Sequence, residues 1–145
     1  MALSAARLQT RGDGDVVNIK MTASTTIYQG GGVMFSSAGL ALPAADTSGG
    51  NGCGVCAQLP NGNSITSGAS IVTYVPVHMT GVFRFKASAA ATATWVGQQV
   101  CWYDDETVAL IGGVTNDVPA GICVDVIDAS TVDVWINAAP VGVTW

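Results

Sequence analysis

The chain has 145 residues, and it is acidic, with a formal net charge of −5 at pH 7 and an isoelectric point near 4.3. This length corresponds to one domain or to two small lobes. Nucleic acid is excluded as a partner because it requires clustered Lys and Arg, whereas the five basic residues here are scattered. Neither a membrane span of ~18 to 20 apolar residues nor the apolar core of a secretory signal is present. We therefore expect a soluble protein made in the cytoplasm, with no membrane partner.

The surface of the folded protein must be weakly charged. Charged residues make up 10% of the chain, against about 25% in an ordinary soluble domain. Because the mean hydropathy is +0.43, most of the surface has to be built from Gly, Ala, Ser, Thr and Asn. Such a surface is typical of a rigid, turn-rich β protein or of one that a partner covers.

The N-terminal segment differs from the remainder of the chain. Residues 1–14 are polar and show no hydrophobic period, and Arg7 and Arg11 are their only cations. We interpret this segment as a flexible arm that is disordered alone and becomes ordered on a partner.

The pattern then changes to short runs of β-forming residues separated by Gly and Pro. Such runs predict strands. From residue 71 to residue 86 apolar side chains alternate, which places Val75 and Val77 on one buried face and turns Arg84 and Lys86 outward. The other early strands are predicted at residues 15–21, 25–28 and 40–42.

Residues 95–110 contain the clearest local pattern. Dense β-formers flank a polar break at residues 104–107, and such a break predicts a hairpin. Its two strands would cover residues 99–103 and the segment that begins at Val108.

An earlier part of the chain repeats this hairpin at a constant separation of 67 residues, as between Gly30 and Gly97. Unrelated segments seldom keep their gaps, glycines and apolar positions together, so a tandem β unit explains the recurrence better than chance does. The other matched positions are Val33 and Val100, Phe35 and Trp102, Gly54 and Gly121, Val55 and Ile122, and Cys56 and Cys123.

These patterns predict an all-β fold, a short-stranded barrel or sandwich with an internal tandem β repeat and a flexible N-terminal arm. The domains would be the arm at residues 1–14, a β domain at residues 15–137 and a C-terminal tail at residues 138–145. Within the β domain, repeat-like halves would cover about residues 25–80 and 81–137.

The apolar faces of the last hairpin suggest its register. If Val124 lies opposite Val134, both apolar faces point into the core and a loop of three residues remains. This register also places Asp125 opposite Asp133, and like charges directly across a ladder are destabilising. We therefore expect Arg84 or a cation of a partner to neutralise the pair, which gives both aspartates a contact role.

The reactive side chains form no catalytic or metal-binding pattern. Cys53 and Cys56 have the spacing of half a zinc or redox site, but Cys101 and Cys123 are isolated and His78 stands alone. We interpret the cysteines as small buried thiols within strands and the histidine as structural. No catalytic residue, cofactor or metal is expected.

The tryptophans are the large apolar anchors of the chain. Trp102 shares its repeat position with Phe35, which predicts a place in the core. Trp145 ends a short extended tail with no strand around it to bury it. Because aromatic residues dominate the energetics of interfaces, we predict that Trp145 contacts a partner.

Several segments also follow one another in an order that resembles the phage capsid decoration, or head cement, proteins of the DUF2190 type. The family's typical core is similar to Gly-Val-Phe-x-x-x-Lys followed by Gly-Asp-x-Val-Tyr-Trp-Asp. Here Gln98 replaces the usual Asp, and Trp102 and Tyr103 reverse the usual aromatic order. The resemblance covers about residues 15–137. Its segments are residues 30–35, Gly-Val-Cys at 54–56, Thr-Gly-Val-Phe-Arg-Phe-Lys at 80–86, Gly-Gln-Gln-Val-Cys-Trp-Tyr-Asp at 97–104, Gly-Ile at 121–122 and the closing strand at 132–136.

This resemblance implies a non-enzymatic structural protein of the virion, which docks on the outer surface of an icosahedral phage head and stabilises its shell. The implied partners are the major capsid protein and further copies of the chain, often in a trimer. Composition agrees, because a weakly charged surface can cover a partner with little desolvation of charge, and repeated contacts on a symmetric lattice add avidity. The predicted contact residues are Arg7, Arg11, Asp125, Asp133 and Trp145.

Three other functions are compatible with parts of the sequence. A tail or fibre component of the same kind of particle is distinguished only by its location and copy number. A carbohydrate-binding β module would use exposed Trp95 and Trp135 as a stacking platform. A hydrolase using the acidic run at residues 104–106 is the weakest alternative, because acidic residues at a turn tip are usually only solvated.

Overall fold

The structure of the protein is a computed structural model that describes residues 16–70 and 72–136. Three of the predicted contact residues, Arg7, Arg11 and Trp145, lie outside these ranges. The described residues form short β-strands and one 3₁₀ turn at Ala93–Trp95. The strands are β1 (Val16–Lys20), β2 (Thr26–Tyr28), β3 (Gly32–Phe35), β4 (Ala41–Pro43), β5 (Asn51–Cys56), β6 (Ser64–Thr66), β7 (Tyr74–His78), β8 (Gly81–Ala87), β9 (Gln99–Trp102), β10 (Thr107–Leu110), β11 (Pro119–Asp128) and β12 (Thr131–Ile136).

The predicted all-β architecture is confirmed. Five strands form one sheet in the order β1-β7-β5-β3-β4, and five others form a closed barrel in the order β10-β8-β12-β11-β9. Strands β2 and β6 pair separately as a two-stranded ribbon. Closing the barrel removes its sheet edges, which is one way a protein with many short strands avoids exposing unpaired backbone groups.

The sheet and the barrel share one pattern of strand pairing, as the tandem repeat requires. Strand β3 lies between β4 and β5, and β9 lies between β10 and β11 in the same register. Val33 pairs with Gly54, and Val100 pairs with Gly121, so both partners shift by the separation found in the sequence. A β-bulge interrupts the ladder at the same place in each copy, next to these glycines.

The outer strands extend this correspondence. Strand β1 pairs with β7 as β8 pairs with β12. In the barrel, β10 pairs in parallel with β8, whereas the equivalent contact in the first sheet is an isolated parallel bridge between Met21 and Ala41. The boundaries of the halves, about residues 25–80 and 81–137, stay a prediction, and we propose that the first half begins with β1.

One apolar core spans both copies of the repeat. The barrel interior is filled by Trp102, fully buried as predicted, and by neighbours that include Val100 and Val134. Met34 and Val55 of the first sheet belong to the same cluster. A second cluster of buried apolar residues includes Val33, Val75, Val77 and Cys56 of the first sheet.

The copies pack closely where the Trp102 ring lies against Gly32. A Cβ atom on Gly32 would lie 2.5 Å from Cη2 of the Trp102 ring, so the ring occupies the space that a larger side chain would need. The Gly32 N–H also donates to the Asp105 carbonyl at 2.7 Å. Glycine at this position therefore lets the first sheet and the barrel pack directly on each other.

A second tie between the copies is formed by Asp46, which follows β4. Its carboxylate accepts hydrogen bonds from the Thr115 N–H at 2.9 Å and from the Asn116 N–H at 2.7 Å. The Asn116 side-chain amide donates to it as well, at 3.0 Å. These bonds, that from Thr115 foremost, hold the pKa of Asp46 below its ordinary value.

The predicted register of the last hairpin is partly wrong. Asp125 does lie opposite Asp133, but Val134 pairs with Cys123, because a bulge at Val124 shifts the ladder by one residue. Cys123 therefore faces the core, and the side chain of Val124 is 41% exposed. A second irregularity near Asp128 makes the connecting loop two residues long, not the three predicted. One extra residue reverses the faces of a strand, which the alternation of apolar residues cannot reveal.

Replacing Gly32 with alanine is expected to lower the free energy of unfolding by about 3 kcal/mol, because the new methyl group must displace the buried Trp102 ring. Urea unfolding followed by tryptophan fluorescence measures the loss. Gly62→Ala is the control, since Gly62 has a positive φ of 68° and open space around it, and it should cost about 1 kcal/mol. Equal losses in the two variants would contradict the packing role of Gly32.

Asp46 is expected to make stability depend on pH. Because its pKa is lowered in the folded state, its contribution is present above the ordinary value of 3.8 and is lost as the pH falls through the lowered value. The difference in unfolding free energy between the wild type and Asp46→Asn should therefore be largest near neutral pH and shrink below pH of about 4. A difference that stays constant down to pH of about 2 would show that the charge of Asp46 contributes nothing.

Candidate functional site

The four cysteines are buried in the strands, as predicted, and free of disulfides. Burial raises the pKa of Cys53 to about 12 and that of Cys56 to about 11. The pKa of Cys101 is raised to about 12, again mainly by burial. Within residues 16–70 and 72–136 there is no group of three or more His, Cys, Asp or Glu side chains that could hold a metal ion, and no helix long and apolar enough to cross a membrane.

The acidic run at residues 104–106 forms the turn between β9 and β10. The Asp104 carboxylate accepts a hydrogen bond from the Glu106 N–H at 2.9 Å, and the Glu106 carboxylate pairs with the Lys86 ammonium at 3.0 Å. Desolvation, followed by the charge of Asp104, raises the pKa of Asp105. These contacts give the run a role in shaping the turn and in joining it to β8.

A different surface, the outer face of β8, β12 and β11, presents side chains in rows across the barrel. Val82 pairs with Trp135, and Trp135 pairs with Ile122, so the three side chains share one face of the sheet. We call these three residues the apolar row. Val82 is 58% exposed and Trp135 is 40% exposed. Val124, turned outward by the bulge, adds a further apolar side chain beside the row.

The next row along the same strands is charged and consists of Arg84, Asp133 and Asp125, which we call the charged row. The Arg84 Nε donates to Asp133 Oδ1 at 2.9 Å, and Nη2 donates to Oδ2 at 3.4 Å. The hydrogen bond and charge of Asp133, with smaller contributions from Asp125 and Asp128, raise the pKa of Arg84. Arg84 therefore pairs with one of the two aspartates, and because one guanidinium faces several carboxylates this surface stays acidic. The contact role of Asp125 and Asp133 stays a prediction.

Glycine in β11 allows the backbone of Trp135 to lie close against this strand. The backbone of β12 approaches so closely that a Cβ atom on Gly121 would collide with the Trp135 carbonyl oxygen. Gly54 stands in the same relation to the His78 carbonyl oxygen in the first sheet. Trp135 therefore occupies the place that His78 holds in the other copy of the repeat, on a strand held closely against its neighbour.

Of the predicted contact residues, the structure brings Asp125 and Asp133 together on this face. The sequence patterns did not identify Val82 and Val124 as members of the same surface. The alternation of residues 81–87 does place Val82 on the outer side with Arg84, so its exposure could have been inferred. The exposure of Val124 could not, since it depends on the bulge.

The proposed platform of two exposed tryptophans is contradicted. Trp95 lies in the 3₁₀ turn and packs into the core, with 5% of its surface exposed. Only Trp135 of the pair is available on the surface. A flat stacking site for a sugar, built from both rings, is therefore absent from the described part of the chain.

The fold and this face define a β-rich protein whose closed barrel carries the apolar row and the charged row side by side on its outer surface. The chain belongs to the phage cement protein family, whose family model matches residues 12–138. The membership confirms the resemblance found in the sequence and assigns the chain to the structural proteins of the phage capsid. Neither the search of curated proteins nor the search of solved structures found a match.

The buried thiols are expected to be unreactive in the native protein. With pKa values of about 11 to 12 for Cys53, Cys56 and Cys101, the thiolate that attacks a disulfide reagent is scarce at pH of about 8. A colorimetric thiol assay should detect little reaction before denaturation and four thiols per chain after it. A native cysteine reacting as fast as free cysteine would contradict the burial.

Proposed function

We propose that this protein binds the outer surface of an icosahedral phage head and stabilises the shell through contacts with the major capsid protein. Membership of the phage cement protein family, over residues 12–138, is the observation that carries the proposal. A cement protein acts by adding contacts across junctions between shell subunits. It needs a folded body that does not deform and surfaces that bind without a large desolvation cost.

The fold supports such a role. Residues of both copies pack in one apolar cluster, and hydrogen bonds at Asp46 join the copies further. These contacts would let the protein resist deformation as one unit. Its surface carries few charges, because charged residues are 10% of the chain. Contacts with such a surface remove little charge from water, which favours binding over a broad area.

We further propose that the protein acts as a homo-oligomer, with a trimer favoured, and that it has no catalytic role. On a symmetric lattice each additional bound copy multiplies the number of contacts without requiring a stronger single contact. Arg7, Arg11 and Trp145, which lie outside the described residues, would add further contacts.

The remaining alternatives have less support. A tail or fibre component would not be expected to belong to a cement family. A carbohydrate-binding module loses half of its proposed platform because Trp95 is buried. Head binding is therefore the function that the family and the geometry support best.

Quantitative mass spectrometry of purified particles, separated into heads and tails, tests the location. We expect the protein in the head fraction at a copy number comparable with that of the major capsid protein. Heads lacking the protein should release their DNA at a lower temperature, and adding the purified protein back should restore the wild-type release temperature. A few copies confined to tails would overturn head binding and support the fibre alternative.

A further inference from the structure

The apolar row is not used by the protein's own core. On β12, Val132, Val134 and Ile136 point inward and are fully buried, which completes the contribution of this strand to the barrel interior. The intervening Trp135 points outward beside Val82. A large aromatic side chain on the solvent face of a closed barrel adds nothing to the core it turns away from, so its apolar surface is available to a partner.

The apolar row also has features that are typical of the centre of a protein interface. Interfaces draw most of their energy from a few aromatic anchors, and an anchor held in place before binding loses little entropy on association. The backbone that carries Trp135 is held in this way, because Gly121 lets β12 lie close to β11 and the Arg84 and Asp133 pair joins β12 to β8. The ion pair is exposed and contributes little to stability, so its main effect here is on the orientation of these side chains.

The charged row indicates the chemistry of the partner. Asp125 is exposed, lies opposite Asp133, and is left without a cation of its own because Arg84 binds Asp133. A partner that brings Lys or Arg to Asp125 would relieve the repulsion between the two carboxylates. The face therefore favours a surface that combines apolar side chains with at least one cation.

The described residues of a second copy are a poor source of that cation. Among the residues that the structure describes, the cations are Lys20, Arg84 and Lys86, and the last two are already in ion pairs. Lys20 alone remains, against eight Asp and Glu side chains in the same ranges. Charge complementarity thus favours a different protein over the described residues of a second copy as the occupant of this face.

We infer that the outer face of β8, β12 and β11 is the surface that docks on the major capsid protein, with Trp135 and Val82 against an apolar patch of the shell and Asp125 against a shell Lys or Arg. This inference rests on the proposed function and specifies which face performs it. The opposite outcome, a face used between copies of this chain, is separated from it by the experiment.

The test measures binding of purified protein to phage heads that lack it, by co-sedimentation over a range of protein concentrations. Trp135→Ala is expected to weaken binding at least tenfold, as loss of an interface anchor does. Tyr103→Ala is the matched control, because Tyr103 is also exposed but lies on the turn after β9, away from the row, and its binding should stay within about twofold of the wild type. Val82→Asp provides a second variant in the row should Trp135→Ala fail to fold, and it too should weaken binding at least tenfold.

Asp125→Lys examines the electrostatic contact separately. Reversal of this charge should weaken binding and reduce its dependence on salt concentration, whereas Trp135→Ala should keep the salt dependence of the wild type. The oligomeric state of each free variant is measured by analytical ultracentrifugation and should equal that of the wild type.

The outcomes separate the two proposals. If wild-type protein does not bind heads, the proposed function and this inference both fail. If the wild type binds and the row variants bind equally well, head binding stands and the assignment of this face is overturned. If the row variants instead change the oligomeric state of the free protein, the face mediates self-association, and the inference is again overturned.

Discussion

The packing of the Trp102 ring on Gly32 is the contact on which the architecture depends. It places the largest buried side chain of the barrel against the backbone of the first sheet, where a Cβ atom would not fit. As a result Met34 and Val55 join the barrel core, and the copies of the repeat form one body with a shared interior. A protein whose two halves were joined only through surface contacts could shear between them. A shared core resists that motion because sliding would expose buried apolar surface to water.

The same repeat that builds this body also allows its surfaces to differ. Gly54 and Gly121 allow equivalent strands to approach equally closely. The residue whose carbonyl oxygen faces the glycine is His78 in the first copy and Trp135 in the second. Strand pairing is thus maintained by backbone and glycine, while the outward side chains are free to change. The copy that closes into a barrel presents the apolar and charged rows. Duplication with divergence of the outer side chains gives one copy of the repeat a face that its partner copy lacks.

Membership of the phage cement protein family and the side chains of this face both support the proposed binding to a capsid. The proposed function requires attachment to the surface of a phage head. An aromatic anchor with a neighbouring carboxylate is suited to this task, because the ring supplies affinity and the charge restricts which partner and orientation are accepted. The closely paired strands contribute as well, since a backbone already ordered loses little freedom on binding.

The sequence by itself determined the fold class, the tandem repeat and most strand positions, because these follow from local alternation, glycine-bounded turns and a constant separation between matching residues. It also determined that Trp102 is buried and that Asp125 lies opposite Asp133. Only the tertiary structure decided that Trp95 is buried while Trp135 is exposed, since burial depends on what packs against a residue and not on its type. The bulge at Val124 was equally beyond the sequence, because one inserted residue changes the face of its neighbours without changing composition. The candidate site could be described only from the sequence and the tertiary structure together. The sequence predicted its two aspartates, and the pairing of three strands in the barrel wall placed Val82 and Trp135 beside them.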